Sequence, residues 1–349
     1  MACRNPSSAM QPTTLYFDLE PYDRFHRELW ERNLARWQAS APSQIRLVSG
    51  AGDAEFLVET LVRQSFAGGS VFRVAAESHY HRRPSDTFAW DGQDLPTGRL
   101  PGLYCSLPRR IFNSARHRSF CYPYRYNEHI AFADPADGRH LLGFTGSITS
   151  PLRARLFRIL APRARADRSL LRLTEPIWSR IFTDENRSEK LRYFDDLRQC
   201  KFVLCPRGNG IASVRLFESL EAGRVPVILS DAYVPPEGID WNVCSVRIRE
   251  RDLERVSELL AARESEWPAM AARARAVWEE NFSEARLLTS LVAALQSIKA
   301  ARTVSERWAS VFFIPRVLPQ YALVKLKRLH RILFAARRVA RRPTDPRPT

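Results

Sequence analysis

Residues 205–231, "CPRGNGIASVRLFESLEAGRVPVILSD", join two apolar runs through a basic, glycine-bearing turn and an amphipathic segment. "CKFVLCP" reads as a strand, "SVRLFESLEAG" as a helix and "VPVILSD" as the next strand, an order that builds a parallel, crossover-connected sheet. Gly223 stands where a helix C-terminus needs a residue tolerant of positive φ. The unpaired N–H groups of a first helical turn favour an anion, and glycines let a ligand approach the backbone. Arg207 and Arg215 add full positive charge on either side of the turn. Arg215 and Glu218 are three apart and share a helix face, a cation for phosphate beside a carboxylate for ribose hydroxyls. A dinucleotide fingerprint competes with this reading. "GNGIAS" nearly makes the glycine motif, with Ser213 in its last place, and Asp231 closes the following strand. Against it, Pro206 and Arg207 separate the strand from the glycines, and Arg215 and Glu218 have no place in that motif.

Working outward, the same pattern recurs upstream. "LLGFTGS" reads as a strand and turn, and "SPLRARLFRIL" as a helix with proline just inside its start. "ADPADGRH" (133–140) is a polar, turn-rich linker between domains. Nearer the N-terminus, "YDRFHRELWERNLARWQAS" has helical spacing, with Phe25, Leu29, Leu34 and Trp37 on one face. "QIRLVS" reads as a strand, "AEFLVETLVRQ" as a helix and "GGSVFRVAAES" as a second strand. Residues 82–130 suggest short strands and loops. After 241, "CSVRI" and "RDLERVSELLAAR" add a strand and a helix.

The 349 residues allow two ordinary domains, and 45% hydrophobic residues is globular composition. A net charge of +16 points to polyanionic partners: nucleotide phosphates, nucleic acid or an anionic membrane. The arginines are dispersed and match no nucleic-acid module, so a nucleic-acid partner is not expected. The six cysteines lack CxxC spacing, which speaks against zinc or a disulfide framework and fits a cytoplasmic protein with reduced thiols. No signal-peptide pattern or membrane-spanning run is found. The tail "ALVKLKRLHRILFAARRVARRP" sets an apolar stripe beside a basic face, suited either to an anionic lipid surface at the inner face of a membrane or to solvent.

The stretch 201–241 resembles the sugar-nucleotide region of the exostosin family of glycosyltransferases. The resemblance rests on "KFVLCPRGNG", "RLFESLEAG", "PVILSD" and "IDW", with "GFTGS" and "PLRARL" (143–156) similar to the start of that family's nucleotide domain. It implies an α/β fold of GT-B type, two Rossmann-like domains facing a cleft. The expected divisions are a leader (1–12), an acceptor-side domain (13–138), a sugar-nucleotide-binding domain (139–300) and a basic amphipathic tail (301–349). The donor is a nucleotide sugar acting as co-substrate, and the acceptor a glycan or glycolipid in cell-surface polysaccharide synthesis. A fucosyltransferase-like enzyme using a GDP-sugar is the alternative. Arg215 would contact the diphosphate and Glu218 the ribose. Gly208 and Gly210 would permit close approach, alongside Arg207, Asn209 and Ser213. Gly146, Ser147 and Arg153 complete the donor-binding set. No D-x-D triplet occurs, so a metal-independent transfer without a cofactor is expected. The general base should follow a strand of the first domain, and Glu77 is taken first, His79 second and Asp53 as a further candidate. Tyr122, Tyr124 and Tyr126 read either as a sugar-stacking platform or as sheet packing.

Overall fold

The computed structural model describes residues 11–20, 24–60, 78–123, 125–175 and 186–316, together with Leu318, Pro319, Ala322 and Leu326. The first half contains β1 (Thr13–Asp18), α1 (Arg24–Ser40), β2 (Ile45–Leu47), β3 (Phe56–Glu59), β4 (Thr87–Asp91), β5 (Gly102–Tyr104) and β6 (His117–Ser119). The second contains β7 (His140–Gly146), α2 (Pro151–Leu160), β8 (Ser169–Leu173), α3 (Arg187–Arg198), β9 (Cys200–Pro206), α4 (Arg215–Glu221), β10 (Val225–Leu229), β11 (Val246–Arg247), α5 (Val256–Ala261), α6 (Trp267–Asn281) and α7 (Leu287–Ala300). A further helix covers 306–316.

Two sheets result, ordered β2-β1-β3-β4-β5-β6 and β11-β10-β9-β7-β8, and every pairing is parallel. Parallel strands are covered on both faces, so they read as unbroken apolar runs. β10, "VPVIL", is buried at all five positions. The same physics explains one correction. Residues 56–59, expected within a helix, form β3, buried throughout between β1 and β4. A short run with no exposed face has neither helical nor strand periodicity, and the β-branched Val58 was the only local pointer to a strand. β1, within "TTLYFD", was not anticipated at all. The expected second strand, 68–78, falls almost wholly outside the described residues.

The first sheet's core gathers Phe17, Trp30, Trp37 and Trp90, with ring centroids 5.6–6.3 Å apart. Such contacts add about 0.5–1.5 kcal/mol per pair beyond area burial. Trp30 and Trp37, one helical heptad apart, define the buried face of α1, whereas Leu29 and Leu34 are only half-buried. In the second half α2 begins as expected, with Ser150 Oγ accepting from Arg153 N–H (3.3 Å) and proline in the first turn. Gly223 ends α4 with φ +66°, the left-handed conformation anticipated for it.

The chain returns to the first sheet after the second is complete. α7 crosses back to pack on β5, β6 and α1, and Arg118 Nε donates to Ser297 Oγ at 2.9 Å. Phe282, just before α7, lies edge-on to both Phe120 (6.1 Å) and Phe217 (5.2 Å), so one apolar cluster spans both sheets. Residues 302–313, expected in a tail, also pack on the first sheet: Glu306 pairs with Arg116 at 2.7 Å with both side chains buried. The basic stretch 327–349 lies outside the described residues. Among the described residues no helix is long and apolar enough to cross a membrane, and the five described cysteines are buried and unpaired.

Candidate active site

In open α/β sheets ligands bind beyond the carboxyl ends of the strands. Here the loops after β4 and β6 of the first sheet face those after β7 and β9 of the second. They enclose two adjoining cavities of about 290 and 370 Å³ that share Tyr126, Arg153, Val214 and Arg215. The smaller is lined by Asp94 and Tyr122 from the first half and by Gly208, Asn209 and Ser213 from the second. The larger adds Gly146, Ser147, Lys190, Tyr193 and Glu218.

Two guanidinium groups form the shared wall. Arg215, the first residue of α4, donates through Nε (2.9 Å) and Nη2 (2.6 Å) to the Thr145 carbonyl. Arg153 donates to the carbonyls of Ser147 (3.1 Å) and Pro206 (3.3 Å). Both lie against the Phe144 ring, at 4.5 and 5.5 Å from its centroid, and both are buried. Burial, with the charge of Arg215 second, pushes the Arg153 pKa down to about 9, so the group still carries its proton at neutral pH. The local fold makes this packing possible because a Cβ at Gly146 would collide with the Arg215 guanidinium.

One turn along α4, Glu218 is buried and accepts a hydrogen bond from the Tyr193 hydroxyl at 2.5 Å. Burial raises its pKa, while the Tyr193 hydrogen bond and the charges of Arg215 and Arg125 oppose the rise. Arg172 and Thr145 Oγ1 are held by Asp196 (2.6 and 2.8 Å), and Lys190 by Glu128 (3.0 Å). Ser213 Oγ is buried without a hydrogen-bond partner. α4 is only seven residues long, and the full positive charges here are those of Arg153 and Arg215.

Of the residues singled out in the sequence, Gly146, Ser147, Arg153, Gly208, Asn209, Ser213, Arg215 and Glu218 line these cavities. Arg207 does not: its guanidinium is engaged by Glu250 at 2.7 and 3.0 Å. Gly210 serves the contact between the halves, since a Cβ there would stand 2.5 Å from Ser106 Oγ and 2.6 Å from the Asp94 carbonyl oxygen. Asp231 is a turn residue, exchanging hydrogen bonds with Glu250. Glu77 and Tyr124 lie outside the described residues. His79 faces Asp18 (3.8 Å) and the edge of Tyr16, and neither it nor Asp53 is among the lining residues. Tyr122 and Tyr126, in the loop after β6 rather than in a strand, pack edge to face at 5.9 Å and both line the cleft. Asp94 was missed. Its signal was present in "FAWDGQD", a carboxylate just past a strand end, but β4 had not been separated from the loops around it.

Residues 127–262, which contain both arginines and Glu218, match the family model of the exostosin GT47 domain. This part of the chain is similar to the exostosin GT47 domain. Within curated proteins the chain is 38% identical over 79 residues to an exostosin-1 homolog of Caenorhabditis elegans, a stretch covering 22% of this chain and 21% of that protein. It is 30% identical over 163 residues to exostosin-1 of Drosophila melanogaster, covering 42% of this chain and 21% of that one. The chain therefore spans about a fifth of the length of these relatives. Among solved structures, an alpha1,3-fucosyltransferase with GDP superposes with a TM-score of 0.38 at 10% identity, covering 87% of this chain and 95% of that one. The matched residues hold the whole second sheet, and the Asp94 and Tyr122 side of the cleft lies before them.

Proposed function

We propose that this chain is a glycosyltransferase that takes a sugar from a nucleoside-diphosphate donor and passes it to a hydroxyl of a glycan or lipid-linked acceptor. The observation that carries the reading is the pair of buried guanidiniums, Arg153 and Arg215, side by side over Phe144 with Glu218 one turn away. Two neighbouring buried cations repel each other, and a diphosphate between them relieves that cost. In this reading the larger cavity takes the nucleotide, its ribose on Glu218, and the smaller takes the transferred sugar and the acceptor hydroxyl. Asp94 would accept the hydroxyl proton as the acceptor oxygen bonds to the anomeric carbon. The bond from that carbon to the phosphate oxygen then breaks, and the nucleoside diphosphate leaves with its charge on Arg153 and Arg215. The arginines supply the charge that a divalent cation supplies elsewhere, which supports a metal-independent transfer, testable by turnover in chelator. The basic C-terminal stretch would hold the enzyme at an anionic membrane surface, beside a lipid-linked acceptor.

The test is thermal stabilisation by nucleotides. A ligand at a hundred times its Kd adds about 2.7 kcal/mol, so UDP or GDP should raise the melting temperature, and whichever acts names the donor base. A rise with NAD and none with any nucleoside diphosphate would overturn the reading. A panel of nucleotide sugars scored for hydrolysis then identifies the donor.

A further inference from the structure

The helix over 306–316 has two unlike faces. Glu306, Ser310 and Phe313, spaced four and three apart, are all buried. Glu306 pairs with Arg116 (2.7 Å) and accepts from the Tyr80 hydroxyl (3.0 Å). Arg99 donates to the Ser310 carbonyl (2.8 Å), and Phe313 lies edge-on to His117 with its centroid 4.9 Å from the Arg116 guanidinium. The helix is thus fixed to the first sheet by a buried charged network. Its other face shows Trp308 at 63% and Phe312 at 73% exposure, with Val311 and the preceding Val304 also exposed. The two aromatic rings, one turn apart, stack at 6.3 Å.

We propose that this outward face inserts into an anionic lipid surface. Large apolar side chains exposed together on a helix that is otherwise anchored mark an interaction site, and tryptophan is favoured where one end of the ring stays wet. Charge selects the partner. From Arg307 to Arg342 the sequence holds ten lysines and arginines and no aspartate or glutamate. Each basic side chain near an anionic leaflet adds about 1 kcal/mol, and stable attachment takes two signals, one apolar and one electrostatic. Trp308 and Phe312 supply the first and the basic stretch after them the second. The inference rests on the membrane association proposed above and adds the folded element that enters the lipid.

The experiment uses the full chain in co-sedimentation with phosphatidylcholine vesicles, with and without phosphatidylglycerol. One variant carries Trp308→Ser and Phe312→Ser, and another carries Arg337→Gln, Arg338→Gln, Arg341→Gln and Arg342→Gln. The wild type should pellet with the phosphatidylglycerol vesicles. The aromatic variant should lose at least tenfold in partitioning with an unchanged melting temperature, because both rings are exposed. Partitioning of the aromatic variant equal to wild type, with loss only in the arginine variant, would overturn the insertion while leaving the membrane reading intact. A wild type that ignores anionic vesicles would overturn both. A wild type that dimerises through Trp308 and Phe312 in sizing runs would assign the face to a second copy and overturn the proposal as well.

Discussion

Gly210 lies against Ser106 so closely that no side chain fits between them, and the Ser106 Oγ accepts the next two backbone N–H groups, of Ile211 (3.0 Å) and Ala212 (3.1 Å). The glycine turn after β9 is therefore a joint between the two sheets as well as a wall of the cleft. Gly210→Ala should cost about 1–3 kcal/mol by overpacking, read from denaturant melts. Gly208→Ala should cost less, since its Cβ meets the ends of two side chains, Thr149 Oγ1 (2.9 Å) and Arg153 Nη2 (3.1 Å), rather than backbone. It should weaken nucleotide binding instead.

Arg215→Lys keeps the charge and loses the planar fork. A lysine cannot hold the Thr145 carbonyl and face the cleft together, as Nε and Nη2 leave Arg215 free to do through its remaining nitrogen. Affinity for the nucleoside diphosphate should fall about tenfold or more, which is about 1.4 kcal/mol. Calorimetric titration measures it.

Asp94→Asn separates binding from chemistry. Loss of a general base lowers turnover about 10²–10⁴-fold and leaves nucleotide affinity near wild type. His79→Asn, at a side chain outside the cleft lining, should leave turnover close to wild type. The opposite pattern in steady-state kinetics would return the role of base to His79.

Asp91 is fully buried at the end of β4, with Oδ1 accepting from Gln93 N–H (2.8 Å). Burial pushes its pKa up to about 7. Between the ordinary carboxylate range and about pH 7 the folded chain holds a proton that the unfolded chain has lost, so this group makes stability fall as pH rises through that window. Asp91→Asn should remove this group's share of the slope, which Glu221 and other buried carboxylates also feed, making the variant more stable relative to wild type at pH 8 than at pH 4. Melting temperatures across pH give the comparison.

Glu306→Ala leaves the buried Arg99 and Arg116, with the half-buried Arg302, without their carboxylate. Removing one partner of a buried pair costs about 3–5 kcal/mol. Replacing Arg116 with Met and Glu306 with Leu together should cost less than Glu306→Ala alone, the signature of an uncompensated charge rather than of lost packing.

Local chemistry determined the 200–231 core of the second half of this protein, whereas β8, α3, α6 and α7 were not read from the sequence. The strand, glycine turn, Arg215–Glu218 helix and strand of 200–231 are where the sequence puts them, because each is bounded by its own turn residue and the helix has a polar stripe to show its period. The likeness of this stretch to exostosins was legible for the same reason. The first half was legible only in α1, β2 and the short strands between 82 and 130. β3 is buried on both faces and carries no period, so it passed for part of a helix, and β1 escaped notice. Tertiary structure alone decided the rest. It set Arg207 against Glu250 rather than in the cleft, turned Gly210 from a ligand contact into a joint, brought Asp94 opposite Arg153, and returned α7 and helix 306–316 to the first sheet. Each is a meeting of residues far apart in the chain, and spacing along a sequence records only those contacts that a single turn or helix can make.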